Sequence, residues 1–228
     1  MNTKSDTKAA RKEQKNNITE LVMILDRSGS MGGLESDTIG GFNSMIEAQK
    51  KAEGKVYATT ILFDNKTEML HDRVEVSEIR PMTEKEYFVR GCTALLDAIG
   101  MAIEHVENIH KYIRKEDVPS HTVIVINTDG MENASRIFNK AQITEMIQGK
   151  EKLGWEFLFM GANMDAVGAA KEIGIPEDRA VQFKCDKKGV RLNYQAASDF
   201  VFSMRKCEAR PDGGWKSDIE EDVKKRGH

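Results

Sequence analysis

Apolar and polar positions alternate along the chain in blocks that each predict one element. Leu21 to Leu25 is an unbroken apolar run, read as a buried strand over Thr19–Leu25 that delivers Asp26 to a loop rich in hydroxyls and glycine. Beyond it Ile39, Phe42, Met45, Ile46 and Gln49 recur at helical spacing, with Gly54 as the stop. Val56–Phe63 reads as a strand, and Asp64-Asn65 as the turn into a second extended stretch, Thr67–Val76, forming a hairpin at a sheet edge. Just after Gly91-Cys92-Thr93, apolar residues from Leu95 to Ile113 recur at three and four, which predicts a long helix with one buried face. His121–Asn127 is apolar on both alternate faces, as in a central parallel strand, and Thr128-Asp129-Gly130 closes it. The pattern continues with a helix over Lys140–Lys152, a strand over Trp155–Met160 and a turn at Gly161-Ala162-Asn163. A helix through Ile173 stopped by Gly174, a short strand Ala180–Phe183 and a last helix from Val190 to Met204 complete it.

Strands alternating with helices at this spacing predict an α/β fold, a doubly wound and mostly parallel central sheet with helices on both faces. Ligands of such sheets bind outside the carboxyl ends of the strands. Asp26, Ser28 and Ser30 follow the first strand and Asp129 follows the central one, so both acidic loops are expected at one edge.

At 228 residues with 39% hydrophobic content, the chain is long enough for one domain with a real core. Three parts are expected: a mobile arm over 1–17, a folded domain over 18–206 and a polar, frayed tail over 207–228. A formal net charge of -3 gives no electrostatic case for nucleic acid or an anionic membrane as partner. No apolar run reaches spanning length, and charged residues stand where a secretion signal needs apolar ones, so a cytoplasmic location is expected. Cys92, Cys185 and Cys207 show no CxxC spacing and read as reduced thiols, not a disulfide framework or zinc site. Nothing in the pattern fixes an oligomeric state.

Asp26, Ser28 and Ser30 alternate through their loop, and a backbone folded tightly at Gly29, Gly32 and Gly33 can turn all three oxygens toward one point. Such a set suits a hard cation such as Mg²⁺. Plainer readings exist for each part: the hydroxyls cap the next helix, Thr93 is a helix cap, and Asp129 is a turn aspartate. Glu35, Asp37 and Glu132 read as surface or helix-start carboxylates.

DRSGS, then GCT ahead of a long amphipathic helix, then TDG after an apolar strand together resemble the von Willebrand factor A domain with its metal-ion-dependent adhesion site, in its bacterial or phage type. The resemblance covers about Thr19 to Met204. It implies a Rossmann-like fold in which Ser28 and Ser30 offer hydroxyls directly to Mg²⁺ or Mn²⁺. Thr93 would ligate directly or through water, and Asp26 and Asp129 mainly through bound waters. It further implies a metal-dependent protein-interaction module whose open coordination position takes a Glu or Asp from a partner protein. In the family, metal-loop rearrangement is coupled to the last helix, here anchored by Phe200 and Val201.

The alternative is a Mg²⁺-dependent phosphoryl-transfer or phosphatase-like enzyme on a similar sheet. An aspartyl phosphotransferase wants a second acid two residues after its nucleophile, and that position is Ser28. The loop also lacks the P-loop ending, the GxGxxG spacing and a GxSxG elbow, so no catalytic nucleophile or nucleotide motif is found and an enzyme is not expected. His105 and His110 are five apart, off a common helix face. Cys92 is expected to pack, Trp155 to enter the core, and Trp215 in the polar tail is a candidate partner anchor.

Overall fold

In the computed structural model, which describes residues 17–162, 164–206 and 211–226, six strands form one sheet. They are β1 (Ile18–Asp26), β2 (Lys55–Phe63), β3 (Thr67–Glu75), β4 (His121–Thr128), β5 (Trp155–Ala162) and β6 (Ala180–Phe183). The helices are α1 (Glu35–Lys50), α2 (Leu95–Tyr112), α3 (Lys140–Glu151), α4 (Ala166–Glu172), α5 (Lys187–Lys206) and α6 (Ser217–Arg226). The sheet order is β3-β2-β1-β4-β5-β6, with every pairing parallel except the β2–β3 hairpin at the edge.

Alternation along the central strands builds two cores. Leu21, Met23 and Leu25 enter one with α1 and α5, while Val22 and Ile24 enter the other with α2, α3 and α4. The chain winds to one side through β2 and β3, then returns past β1 to β4. The carboxyl ends of β1 and β4 therefore meet at the reversal of strand order, where a crevice opens. Register pairs Leu25 with Asn127, so Asp26 and the Thr128-Asp129 pair leave the sheet side by side.

Three segments differ from the sequence reading. Gly161 and Ala162, expected as a turn, extend β5, because they pair with Gln182 and Phe183 of β6; Asn163 lies outside the described residues. The last long helix begins at Lys187, where the Asp186 carboxylate accepts the Gly189 amide at 2.9 Å and so stabilises an earlier start.

The third difference is the tail expected to fray, which is helical: a 3₁₀ turn over Gly213–Lys216 leads into α6. It is held by few but well-placed groups. The Trp215 ring meets Phe200 edge-on at 5.8 Å, its Nε1 donates to the Asp178 carbonyl at 2.8 Å, and Ile219 is buried. Lys216 Nζ donates to the Glu177 and Ala180 carbonyls at 2.9 Å each. Trp215 is thus an internal anchor and not a free one. Residues 1–16 of the expected arm, and Cys207, lie outside the described residues. Among the described residues no helix is long and apolar enough to cross a membrane.

Candidate metal centre

Asp26 ends β1 fully buried, and both of its oxygens are engaged. Oδ1 accepts the Ser28 amide at 2.7 Å, and Oδ2 accepts the Thr128 hydroxyl of β4 at 2.6 Å. The loop then turns through a 3₁₀ segment, Gly29–Met31, and the Gly29 amide donates to the Gly91 carbonyl at 3.2 Å, joining it to the Thr93 loop. Ser28 Oγ lies 3.0 Å from Ser30 Oγ, and Ser30 Oγ donates to Asp129 Oδ1 at 2.6 Å. Thr93 is fixed by a reciprocal pair with Asn133: its amide donates to Asn133 Oδ1 and its carbonyl accepts the Asn133 amide, each at 3.0 Å.

Gly130 shows how closely these loops converge. A methyl group on its Cα would lie 2.8 Å from Thr93 Oγ1 and 3.1 Å from Ser30 Oγ, a cradle that only glycine leaves open. Asp26, Ser28, Ser30, Thr93 and Asp129 therefore come together from three distant segments.

The hydroxyls are not spent on capping. Ser28 precedes its 3₁₀ turn and Leu34 precedes α1, both without a side-chain cap bond. Ahead of α2 the capping residue is Ala94, again without a side-chain bond. The Leu96 amide is taken by Glu132 at 2.9 Å and the Asp97 amide by Ser135 at 3.1 Å. Glu132 is thereby a structural cap, and Glu35 accepts the Gly33 amide at 2.7 Å. Cys92, expected to pack, is exposed, because its loop turns outward at Gly91 with φ +71.

Burial pushes the Asp26 carboxyl up to about 6, against the opposing hydrogen bonds from Thr128 and Ser28, and the charge of Asp129 adds to the rise. Burial also raises Asp129, while the Ser30 hydroxyl bond pulls it back. Two carboxylates thus lie beside three hydroxyls, of which Ser28 and Thr93 are buried and Ser30 is exposed. Among the described residues no group of three or more His, Cys, Asp or Glu is arranged to hold a metal, so a cation here must be taken partly by hydroxyl oxygen. An all-oxygen, partly neutral set of this kind fits a hard divalent cation that keeps some of its waters.

Several supporting residues escaped the sequence reading. The Thr128 hydroxyl orients Asp26, and the Tyr87 hydroxyl donates to the Asp26 carbonyl at 2.5 Å. Arg27 is fully buried, with Nε on Asp64 at 3.1 Å and Nη2 on Glu68 at 2.7 Å, and Arg90 joins Asp64 at 2.7 Å. Burial alone would raise Asp64, but bonds from Arg90 and the Lys66 amide, with both guanidinium charges, hold it below its ordinary value. The Asp64 carbonyl in turn accepts the Ala94 amide at 2.8 Å, so this cluster ties the Asp26 loop to the Thr93 loop. The sequence signals were the positions of Arg27 inside the DRSGS loop and of Thr128 inside TDG.

No protein-family model matches the chain, and no curated protein matches its sequence. The likeness is in structure. The vWF domain of the type V pili tip protein Mfa5 from Porphyromonas gingivalis superposes with a TM-score of 0.63 at 11% identity, over 84% of this chain and 97% of that one. Proximal thread matrix protein 1 from the mussel byssus, with a zinc-occupied MIDAS motif, gives 0.55 at 12% identity, over 80% of this chain and 45% of that one. A von Willebrand factor type A protein from Catenulispora acidiphila gives 0.52 at 12% identity, over 81% of this chain and 42% of that one. The chain spans less than half the length of the latter two and nearly all of the Mfa5 domain. Its fold is that of a von Willebrand factor A domain, a Rossmann-like α/β sheet.

Proposed function

We propose that the chain is a metal-dependent protein-interaction module. The observation that carries this is the convergence of the Ser30 and Thr93 hydroxyls about Gly130, with Ser28 and Asp129 bonded to Ser30 and Asp26 bonded to the Ser28 amide and the Thr128 hydroxyl. Ser28 and Ser30 would hold the cation directly, Thr93 directly or through water, and the two aspartates mainly through its waters. Oxygen-only donors favour Mg²⁺ or Mn²⁺. The bound cation supplies a positive contact at which a Glu or Asp of a partner protein completes the coordination. The zinc-occupied motif of the mussel protein supports a divalent cation in a motif of this kind. A phosphoryl-transfer reading would need Asp26 to attack a substrate, but its carboxylate is fully buried and both oxygens accept hydrogen bonds.

Isothermal titration of Mg²⁺ and Mn²⁺ into wild type, Asp26→Ala and Ser28→Ala tests the assignment. Binding by wild type alone, with all three proteins giving native circular dichroism, is the expected result. Unchanged affinity in Asp26→Ala would overturn it.

A further inference from the structure

Beside the proposed metal centre is a second feature with its own chemistry. A cavity of about 80 Å³ lies between the start of α2, the β4–α3 loop and α4, lined chiefly by Leu95, Leu96, Met131, Met164, Ala169 and Ile173. Leu95 is two residues past Thr93, and Met131 two past Asp129, so two loops of the centre run on into the cavity wall. The charged side chains on its wall are already satisfied. Lys140 pairs with Glu172, and the oxygens of Glu132 accept the Leu96, Ala134 and Ser135 amides. The lining is therefore mainly apolar, with its charged members engaged by other groups and room for one aliphatic side chain. At its mouth Met131 is 75% exposed, and Ile137 on the same loop is 65% exposed. An exposed methionine at the rim can re-pack around an inserted group at little cost.

We infer that this cavity is an aliphatic subsite of the partner interface, filled by a Leu, Ile, Val or Met within a few residues of the carboxylate that meets the cation. The inference rests on the metal-dependent reading above. A carboxylate on an exposed cation is attracted by charge but poorly discriminated, because any acidic residue meets it alike. A neighbouring apolar anchor in a dehydrated pocket supplies discrimination and excludes water from the coordination bond. The occupant is thus an acidic–aliphatic segment of a partner protein. Charge complementarity fixes its acidic residue, and the cavity's lining and size fix its aliphatic one.

The test uses the full chain and a synthetic heptapeptide, acetylated and amidated, with central Glu and Ser elsewhere, and versions with Leu placed in turn at each flanking position. Mg²⁺ affinity is measured calorimetrically for wild type and Ala169→Leu, a substitution that fills the cavity from partly exposed α4. Peptide binding is then followed with Mg²⁺ and with EDTA. The expected result is that at least one Leu peptide binds wild type about tenfold or more tighter than the Ser peptide. The gain vanishes in EDTA and in Ala169→Leu, while Ala169→Leu keeps wild-type Mg²⁺ affinity. Mg²⁺ binding with equal affinity for Leu and Ser peptides, or with no peptide binding, overturns the subsite and leaves the metal assignment standing. Failure to bind Mg²⁺ overturns the metal reading and the subsite together. Concentration-dependent self-association by sedimentation, abolished by Ala169→Leu, would assign the cavity to a second copy of the chain and overturn the peptide partner.

Discussion

Asp26 is held between opposing influences: deep burial and the neighbouring Asp129 carboxylate favour its protonated form, and the hydrogen bonds from Thr128 and Ser28 favour its ionised form. With burial raising its folded value to about 6, the metal-free folded protein keeps a proton that the unfolded chain releases at lower pH. The contribution to stability is fully present below the ordinary carboxylate value and is lost as pH rises through about 6. The displacement corresponds to about 3 kcal/mol. A divalent cation reverses the balance, because it favours the ionised form that burial penalises. By its Asp26 contribution the metal-free protein should melt at a lower temperature at pH 7.5 than at pH 5. Half-buried His71, whose pKa burial lowers, opposes this trend, so the difference is read against Asp26→Asn. Added Mg²⁺ should raise the melting temperature more at pH 7.5. Thermal unfolding at both pH values, in EDTA and in excess Mg²⁺, measures this directly. Equal increments at the two pH values would separate Asp26 from the cation.

At the scale of elements, α5 is the helix with most at stake. Its Tyr194 ring lies so close to α1 that a methyl on Gly41 would fall 2.2 Å from Cδ2, so glycine there sets the approach of the two helices. Farther along, Phe200 is fully buried, with the Arg179 guanidinium 5.2 Å from its ring centre and Trp215 edge-on. Phe200→Ala removes a ring from a closed core and should cost about 3–5 kcal/mol, read as a lower urea midpoint at unchanged m-value. A loss under 1 kcal/mol would mean that the site collapses around the smaller residue. The strands and α5 itself were legible because apolar periodicity is local. Ala180–Phe183 has the same bounds in sequence and structure, and β4 is apolar on both faces as its VIVI run predicts. The α6 segment was not legible, since Trp215 and Ile219 are isolated apolar anchors in a charged run, and their partners Phe200 and Asp178 are distant in sequence. The same limit applies at the metal centre. DRSGS, GCT and TDG carry their oxygens in plain view, whereas the bonds by which Thr128 and Arg27 within them, and Tyr87 outside them, reach Asp26, Asp64 and Glu68 are encoded by no spacing.

For the whole molecule, the C-terminal segment closes the core along the β6 edge of the sheet, two strands away from β4. It covers β6, an edge strand of only four residues, and places Ile219 in the core shared by α1 and α5. It also satisfies Arg179, which is almost fully buried, bonded to Glu156 at 2.7 Å and donating from Nη2 to the Pro211 carbonyl at 2.6 Å. A chain ending at Lys206 would uncover Phe200 and β6, and would leave that guanidinium short of an acceptor in a dehydrated place. Loss of the Trp215 and Ile219 burial alone should cost about 3–6 kcal/mol, which lowers the melting temperature by roughly 10 °C or more in a domain of this size. None of the described bonds of 211–226 reaches the Asp26, Thr93 or Asp129 loops, so the shortened chain should keep its Mg²⁺ affinity below its lowered melting temperature. Distant sites without shared partners act independently. Calorimetric Mg²⁺ titration beside thermal unfolding of both chains checks the two halves at once. Loss of metal binding in a chain that remains folded would show that the C-terminal helix and the ligand edge are coupled through the sheet.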